Sequence, residues 1–263
     1  MHHLATATII LGLLIAVSLS YGWALTAPLA RAWQRHGGFV RWYVTSAPVT
    51  FVYLLILAIT TWVLLGMPHE IRRLYITAQS TNLQHLTSDP IRVLIRSAFF
   101  VSKSELLAWI ALFALVLAPA ERWLGSGRVI VAFAVGHVGA TALTALDIWV
   151  RIKWLNAPVT LWTVQDTGVS YGFACLAGLM LFRLRGRSRL IWGAILAAVV
   201  IYGLWPGSTF TDLGHACAII IGLCLMPVTL PASVKARMSP SGSLRSLWRR
   251  SGADGPHRLG AAR

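Results

Sequence analysis

The sequence predicts an all-α polytopic membrane helix bundle, and three observations support this prediction. The 263-residue chain has a mean hydropathy of +0.69, and 57% of its residues are hydrophobic. Charged residues make up only 12% of the chain, about half the usual share in a soluble domain. Seven long runs contain no charged residue, and a soluble fold of this length could not cover so much apolar surface.

The seven uncharged runs set the expected order of the membrane spans. A span needs about 20 apolar residues, with roughly 17 as the usual minimum, so the third, fifth and sixth runs are short. Flanking Trp, Arg and Glu side chains are expected to reach the interface, or the bilayer to be thin there. The runs are Leu4–Leu29, Trp42–Met67, Leu106–Ala120, Val129–Leu146, Thr167–Phe182, Leu190–Trp205 and Leu213–Val234.

The loops between the runs predict the orientation of the chain. If the N-terminus is outside, 16 basic residues lie in cytoplasmic segments and 7 lie outside, whereas six of the eight acidic residues lie outside. Cytoplasmic loops are enriched in Lys and Arg, so we expect a multi-pass protein of the cell membrane with an external N-terminus and a cytoplasmic C-terminus. The net charge of +15 then indicates contact with lipid headgroups and not with nucleic acid.

Composition divides the chain into three segments. Residues 1–30 are predicted to form an extra N-terminal transmembrane helix, which is retained because no basic residues precede its apolar run. Residues 42–234 are predicted to form the main membrane domain. Residues 235–263, rich in Ser, Gly, Pro and Arg, are expected to be a disordered basic cytoplasmic tail. The long external loop Pro68–Glu105 has apolar content and is expected to have a function or to lie on the membrane.

Two polar residues within the runs, Ser170 and His215, are candidates for catalysis. They follow Asp166 and Asp212 by four and three residues, so both side chains should lie at the same depth near the outer face. Small residues recur every four positions beside them, and such stripes let membrane helices pack backbone to backbone. This packing would bring the hydroxyl within reach of the imidazole, the minimum for an activated oxygen nucleophile. The two stripes are Ser170, Ala174 and Gly178, and Gly214, Ala218 and Gly222.

Each polar residue also has a structural interpretation. A serine in a membrane helix usually bonds its own backbone, and a histidine near an interface is often structural. A structural role is favoured for His137, because it lies about ten residues, or roughly 15 Å, below the outer boundary. The cysteines have no disulfide or zinc spacing, and no cofactor or metal is expected.

Several motifs together resemble the rhomboid family of intramembrane serine proteases and rhomboid-like proteins, in a divergent bacterial form. The resemblance covers Trp42 to Leu230, and the order and spacing of the elements agree. Glu121-Arg122-Trp123-Leu124-Gly125-Ser126 resembles the family's Glu-x-x-x-Gly-Ser loop, and Gly168-Val169-Ser170 resembles its Gly-x-Ser nucleophile motif. The other similar elements are His215, Ala218 and Gly222 in the family's histidine helix, and Asp89–Leu94 with Ser97–Phe99 before its second core helix.

The resemblance implies a six-helix rhomboid-like core with one additional N-terminal transmembrane helix. Ser170 would be the nucleophile and His215 the general base of a dyad that cleaves transmembrane segments entering sideways from the lipid. Gly168 and Tyr171 would line this site. The implied partners are transmembrane protein substrates or clients, together with membrane lipids.

A second hypothesis is a catalytically inactive rhomboid-like protein that binds membrane segments without cleaving them. The family's oxyanion helpers, a His-x-x-x-Asn pair, fall on Glu105 and Trp109 in this chain. An ionised Glu105 would repel an oxyanion, and Trp109 offers only its indole N–H. Tyr171 follows the serine where the family usually has a small residue, and Ala174 stands where it has an aromatic residue. A transporter is disfavoured because no acidic residue lies mid-span and no inverted repeat is found.

Overall fold

The computed structural model describes residues 27–101, 103–164, 166 and 169–229, together with residues 10, 13–14 and 17–18. These residues form helices and turns, with no strand among them. The all-α prediction is therefore confirmed. Most of the predicted first span, Leu4–Leu29, and the whole predicted tail, 235–263, lie outside the described residues, so both stay predictions.

The segment between the first two predicted runs is helical. Helix α1 (Ala27–Thr45) is followed directly by α2 (Pro48–Gly66). The predicted apolar run Trp42–Met67 is divided between two helices, because Trp42–Thr45 belong to α1. Helix α2 begins at Pro48, whose missing N–H suits a first helical turn. Helix α1 carries both exposed aromatic residues, Trp33, Phe39 and Trp42, and the basic residues Arg31, Arg35 and Arg41.

The predicted external loop, Pro68–Glu105, is mostly helical. Asn82 and Asp89 each accept a hydrogen bond from a backbone N–H three residues ahead, so both act as helix N-caps. Prolines before or at the first helical position also mark helix starts here. The helices are α3 (His69–Ala78), α4 (Leu83–Ser88) and α5 (Pro90–Ser97).

The next helix, α6, contains a short π-helical segment. It consists of Lys103–Leu112, the π segment Phe113–Leu117, and Ala118–Leu124. Pro119 explains the irregularity, because proline has no N–H to donate to the preceding turn. The carbonyl oxygen of Ala114 instead accepts a hydrogen bond of 2.6 Å from the Tyr43 hydroxyl. Helix α1 is thereby attached to the middle of α6.

The remaining helices surround α8, which is the centre of the bundle. Ten of its twelve residues are buried, and it packs against α7 and α10, while α9 packs on α10. Among the residues that the structure describes, four helical stretches are long and apolar enough to cross a membrane: α2, Glu105–Leu124 of α6, α7 and α9. The chain is therefore a multi-pass membrane helix bundle. The helices in this half are α7 (Ser126–Trp154), α8 (Val169–Met180), α9 (Gly186–Gly203), α10 (Phe210–Cys224) and α11 (Met226–Thr229).

One buried carboxylate, Glu121, joins three helices. Its oxygens accept hydrogen bonds from the backbone N–H groups of Val49 and Thr50, at 3.0 and 2.8 Å, and from the Ser126 hydroxyl at 2.6 Å. Negative charge at the N-terminus of α2 is also favoured by the helix dipole. Gly125, with a φ of +87°, makes the sharp turn that places Ser126 beside Glu121. The Glu-x-x-x-Gly-Ser spacing is thus explained by a single structural role.

Replacing Glu121 with glutamine should destabilise the protein by about 1–3 kcal/mol. The NH₂ that replaces one carboxylate oxygen cannot accept hydrogen bonds, so at least one of the buried donors loses its partner. Thermal unfolding in detergent micelles measures the effect, with Glu70→Gln as the control because Glu70 is exposed on α3. Equal melting temperatures for the two variants would contradict this role for Glu121.

Candidate functional site

The backbones of α8 and α10 touch at two glycines. A Cβ atom added to Gly222 would lie 2.0 Å from the carbonyl oxygen of Cys175, and one added to Gly178 would lie 2.7 Å from that of Ile219. Only glycine permits such close approach. The predicted contact between the helices that carry Ser170 and His215 is therefore confirmed at Gly178 and Gly222.

The end of this contact nearest Ser170 differs from the prediction by one residue. The space beside Gly214 is filled by the ring of Tyr171, not by Ser170, since the three atoms nearest a Cβ there would all be Tyr171 ring or hydroxyl atoms, at 2.3–2.4 Å. The row of α8 residues that meets α10 is therefore Tyr171, Cys175 and Gly178. Strict four-residue spacing missed this because α-helices have 3.6 residues per turn.

Tyr171 also contacts the candidate base. Its ring centroid lies 5.4 Å from that of His215 at an interplanar angle of 75°, an edge-to-face arrangement. Tyr171 is fully buried, whereas Ser170 and His215 are half-buried. The sequence suggested that the histidine lacked an aromatic neighbour because Ala174 occupies the usual position. The structure instead supplies the ring from Tyr171, the residue after the candidate nucleophile.

The Tyr171 hydroxyl lies in a polar environment at the end of the bundle that carries Ser170 and His215. It is buried near the side chains of Asp166, Thr144 and Thr211, without reaching hydrogen-bonding geometry to any described residue. Thr144 belongs to α7, Thr211 to α10 and Asp166 to the segment before α8, so two helices and this segment contribute polar groups around the hydroxyl. The ring of Tyr171 is thus enclosed on several sides, which restricts the orientation of its contact with His215.

The chain just before α8 is fixed by the segment between α3 and α4. The Ser80 hydroxyl accepts a hydrogen bond of 2.6 Å from the Asp166 backbone N–H, and the Thr81 backbone N–H donates to the Asp166 carbonyl oxygen at 2.9 Å. Gln79, Ser80, Thr81 and Asn82 are all buried. These polar residues were not predicted as part of the site, although a run of four uncharged polar residues between Ala78 and Leu83 was a usable signal.

The two oxyanion-pair positions, Glu105 and Trp109, lie on α6. The Trp109 ring packs against Phe113 and Phe173, with centroid separations of 5.8 and 5.6 Å. Phe173 is three residues past Ser170, so Trp109 lies against the face of α8 that carries the serine. Glu105 is one turn before Trp109, and its side chain is exposed. The predicted site residue Gly168 lies outside the described residues.

His137 bonds an element other than its own helix, as the structural interpretation expects. Its Nε2 atom lies 2.8 Å from the carbonyl oxygen of Leu94 and 3.3 Å from the Ser97 hydroxyl, and the side chain is buried. This contact joins α7 to α5. His137 therefore holds the external segment against the bundle.

Comparison with known proteins agrees with this architecture. The family model described as "Rhomboid-like protein" matches residues 42–235, which include every helix from α2 to α11. No curated protein and no solved structure matches the chain. Because the family match covers about three quarters of the 263 residues, the chain belongs to the rhomboid-like family.

Proposed function

We propose that this rhomboid-like protein is an intramembrane serine endopeptidase in which Ser170 is the nucleophile and His215 the general base. The observation that carries the proposal is the contact of the His215 ring with Tyr171, the residue that follows Ser170. This contact lies at the outer end of two helices whose backbones touch. Ser170 and His215 are both half-buried, as expected for groups that must meet a substrate.

In the proposed mechanism, His215 takes the proton from the Ser170 hydroxyl as its oxygen attacks the scissile carbonyl carbon. The tetrahedral intermediate collapses when the imidazolium gives that proton to the leaving amine, and the acyl group stays on Ser170. Water, deprotonated by His215, then attacks the acyl group and restores the serine. Tyr171 orients the imidazole throughout through its edge-to-face contact.

The oxyanion in this mechanism would be stabilised mainly by backbone N–H groups. Ser170 is the second residue of α8 as described, and the first N–H groups of a helix have no intrahelical acceptor. The positive end of the helix dipole lies at the same place. Glu105 and Trp109 do not provide the usual donors, and each missing donor typically lowers turnover by about 10²–10³. We therefore expect a slow protease.

The second candidate function is binding of membrane segments without cleavage. It is favoured by the ring cluster of Trp109, Phe113 and Phe173, which fills the region where a side-chain oxyanion donor would be needed. In that case Ser170 and His215 would be structural residues at the outer end of α8 and α10. Substrates and clients have the same chemistry in both candidates, namely apolar helical segments reached through the lipid.

A serine-directed probe separates the two candidates. A fluorophosphonate should label the purified wild-type protein covalently and should leave the Ser170→Ala variant unlabelled. Both proteins must show the same helical circular dichroism and the same melting temperature. A well-folded wild-type protein that never reacts would favour the binding function and would overturn the protease.

We also propose that the site faces the outside of the cell membrane. The proposal rests on the distribution of basic residues, because α8 and α9 are joined by a segment rich in arginine. In a variant without native cysteines, Arg187→Cys should resist a membrane-impermeant thiol reagent in intact cells. Lys153→Cys, at the exposed end of α7, is the matched control and should react. Labelling of Arg187→Cys from outside would reverse the orientation.

A further inference from the structure

A deep apolar groove lies on the side of the bundle formed by α2, α5 and α7. Its volume is about 660 Å³, within the usual range for small-molecule sites. The walls come from Pro48–Ile56 of α2, Val129–Val138 of α7 and the Leu94–Phe99 segment. Val52, Ile95 and Ile130 lie at its edges and are more than half exposed, so the groove opens sideways, toward the lipid.

The polar groups in the groove walls are engaged elsewhere. The Thr50 hydroxyl donates to Glu121 at 2.7 Å, the Tyr53 hydroxyl donates to the carbonyl oxygen of Ala98, and His137 Nε2 lies 2.8 Å from that of Leu94. The surface left to an occupant is therefore hydrocarbon. An apolar chain fits this surface, and a polar metabolite does not.

The length of the groove matches one leaflet of a bilayer. The groove walls extend over eight residue steps of α2 and nine of α7, which at about 1.5 Å per residue gives a length of about 12–14 Å. This length is roughly half of the 30 Å hydrocarbon core. The α5 segment closes one end, because its carbonyl oxygens bind Tyr53 and His137. A membrane-spanning helix would need the full thickness and would collide with α5. A single acyl chain entering from the other end would not.

The open end of the groove carries positive charge. Arg128 immediately precedes the wall residue Val129, and Arg122 donates to the Ser46 hydroxyl at 3.2 Å, two residues before the wall residue Pro48. The Arg122 guanidinium also lies 4.1 Å from the centre of the Tyr43 ring, and aromatic and basic residues together are typical of a membrane interface. Glu121, the acidic residue at this end, is buried and bonded to its own donors.

From these features we propose that the groove is a binding site for an anionic phospholipid. One acyl chain would occupy the groove between α2 and α7, and the phosphate would lie beside Arg122 and Arg128. The bound lipid would fill the space beneath α5 and support the external segment that holds the chain before Ser170. The proposal does not depend on whether Ser170 is catalytic.

Native mass spectrometry of the full-length protein tests the site. Phosphatidylglycerol and phosphatidylcholine with identical acyl chains are added to the detergent-purified protein, and retained lipid is counted. Phosphatidylglycerol should be retained about fivefold more than phosphatidylcholine for each arginine engaged. Arg128→Gln should lower that preference about fivefold, whereas Arg187→Gln, in the first turn of α9, should leave it unchanged. Equal retention of the two lipids by the wild-type protein would overturn the proposal.

A second pair of variants tests the groove itself. Ala134→Trp fills the groove and should abolish lipid retention, and the smaller Ala134→Leu should reduce it. Val135→Trp is the control, because Val135 is an exposed neighbour on α7 outside the groove. Identical retention by the tryptophan variants would overturn the site. A further experiment pairs Ala134→Cys with a second cysteine placed in residues 4–26. A disulfide between the two would show that the chain's own first apolar run occupies the groove, and this result would also overturn the lipid site.

Discussion

Replacing Ser170 or His215 with alanine should abolish cleavage of a transmembrane substrate, with a loss of at least about a thousandfold in turnover. A two-residue site has no spare nucleophile or base, so either change alone removes the mechanism. The double variant should be no worse than either single variant, because the two residues act as one unit. Cleavage is measured with purified protein in proteoliposomes that contain a helical substrate.

The controls for this experiment are residues of the same type outside the site. Ser88→Ala and His69→Ala change exposed side chains on α4 and α3 and should retain full activity. All four proteins should have the same melting temperature within a few degrees, since the alanine changes remove few atoms. Residual cleavage by Ser170→Ala equal to that of Ser88→Ala would rule out Ser170 as the nucleophile.

Enlarging Gly222 to leucine should separate α8 from α10 and cost more than about 3 kcal/mol, above the usual range for an overpacked core. Even the first added carbon would lie 2.0 Å from the carbonyl oxygen of Cys175, a backbone atom that cannot move aside alone. The two helices that carry Ser170 and His215 would shift together with the contact. The free energy of unfolding in mixed detergent micelles measures the loss, and activity should fall in parallel.

Gly66→Leu is the matched control for this prediction. Gly66 ends α2, and a Cβ atom added there would meet nothing within 4 Å. The same substitution should therefore change stability by less than about 1 kcal/mol. Similar losses for both variants would mean that added bulk in the membrane, and not the α8–α10 contact, is responsible.

The sequence predicted those parts of the fold that depend on apolar runs. Among the described residues, the second to seventh runs each correspond to a helix, because the lipid requires backbone polar groups to be satisfied within each span. The predicted helix ends were less accurate where charged residues lie within a helix. Helix α7 was predicted to leave the membrane at Leu146 but continues to Trp154, and Arg151 pairs with Asp147 one turn apart at 2.7 Å. Charge ended the apolar run there without ending the helix.

The candidate site was predictable only to within one residue. The small residues Gly178 and Gly222 correctly placed α8 against α10. Which α8 side chains face α10 depends on the helix rotation, and a four-residue stripe drifts by about 40° per repeat relative to a 3.6-residue turn. Tyr171 therefore occupies the place assigned to Ser170 beside Gly214. The anchoring of Asp166 by Ser80 depends on tertiary contacts and had no counterpart in the motif analysis.

The hydrogen bonds between Ser80 and Asp166 also determine the order in which parts of the fold can form during synthesis. The two residues are 86 positions apart in the sequence. At roughly 5–20 residues per second, Ser80 leaves the ribosome about 4–17 s before Asp166. During this interval α4 to α7 are made, but the segment between α3 and α4 still lacks its final hydrogen-bond partner. The end of the bundle that contains Ser80 and Asp166 can therefore close only after α7 has been made, which makes this closure a late step in folding.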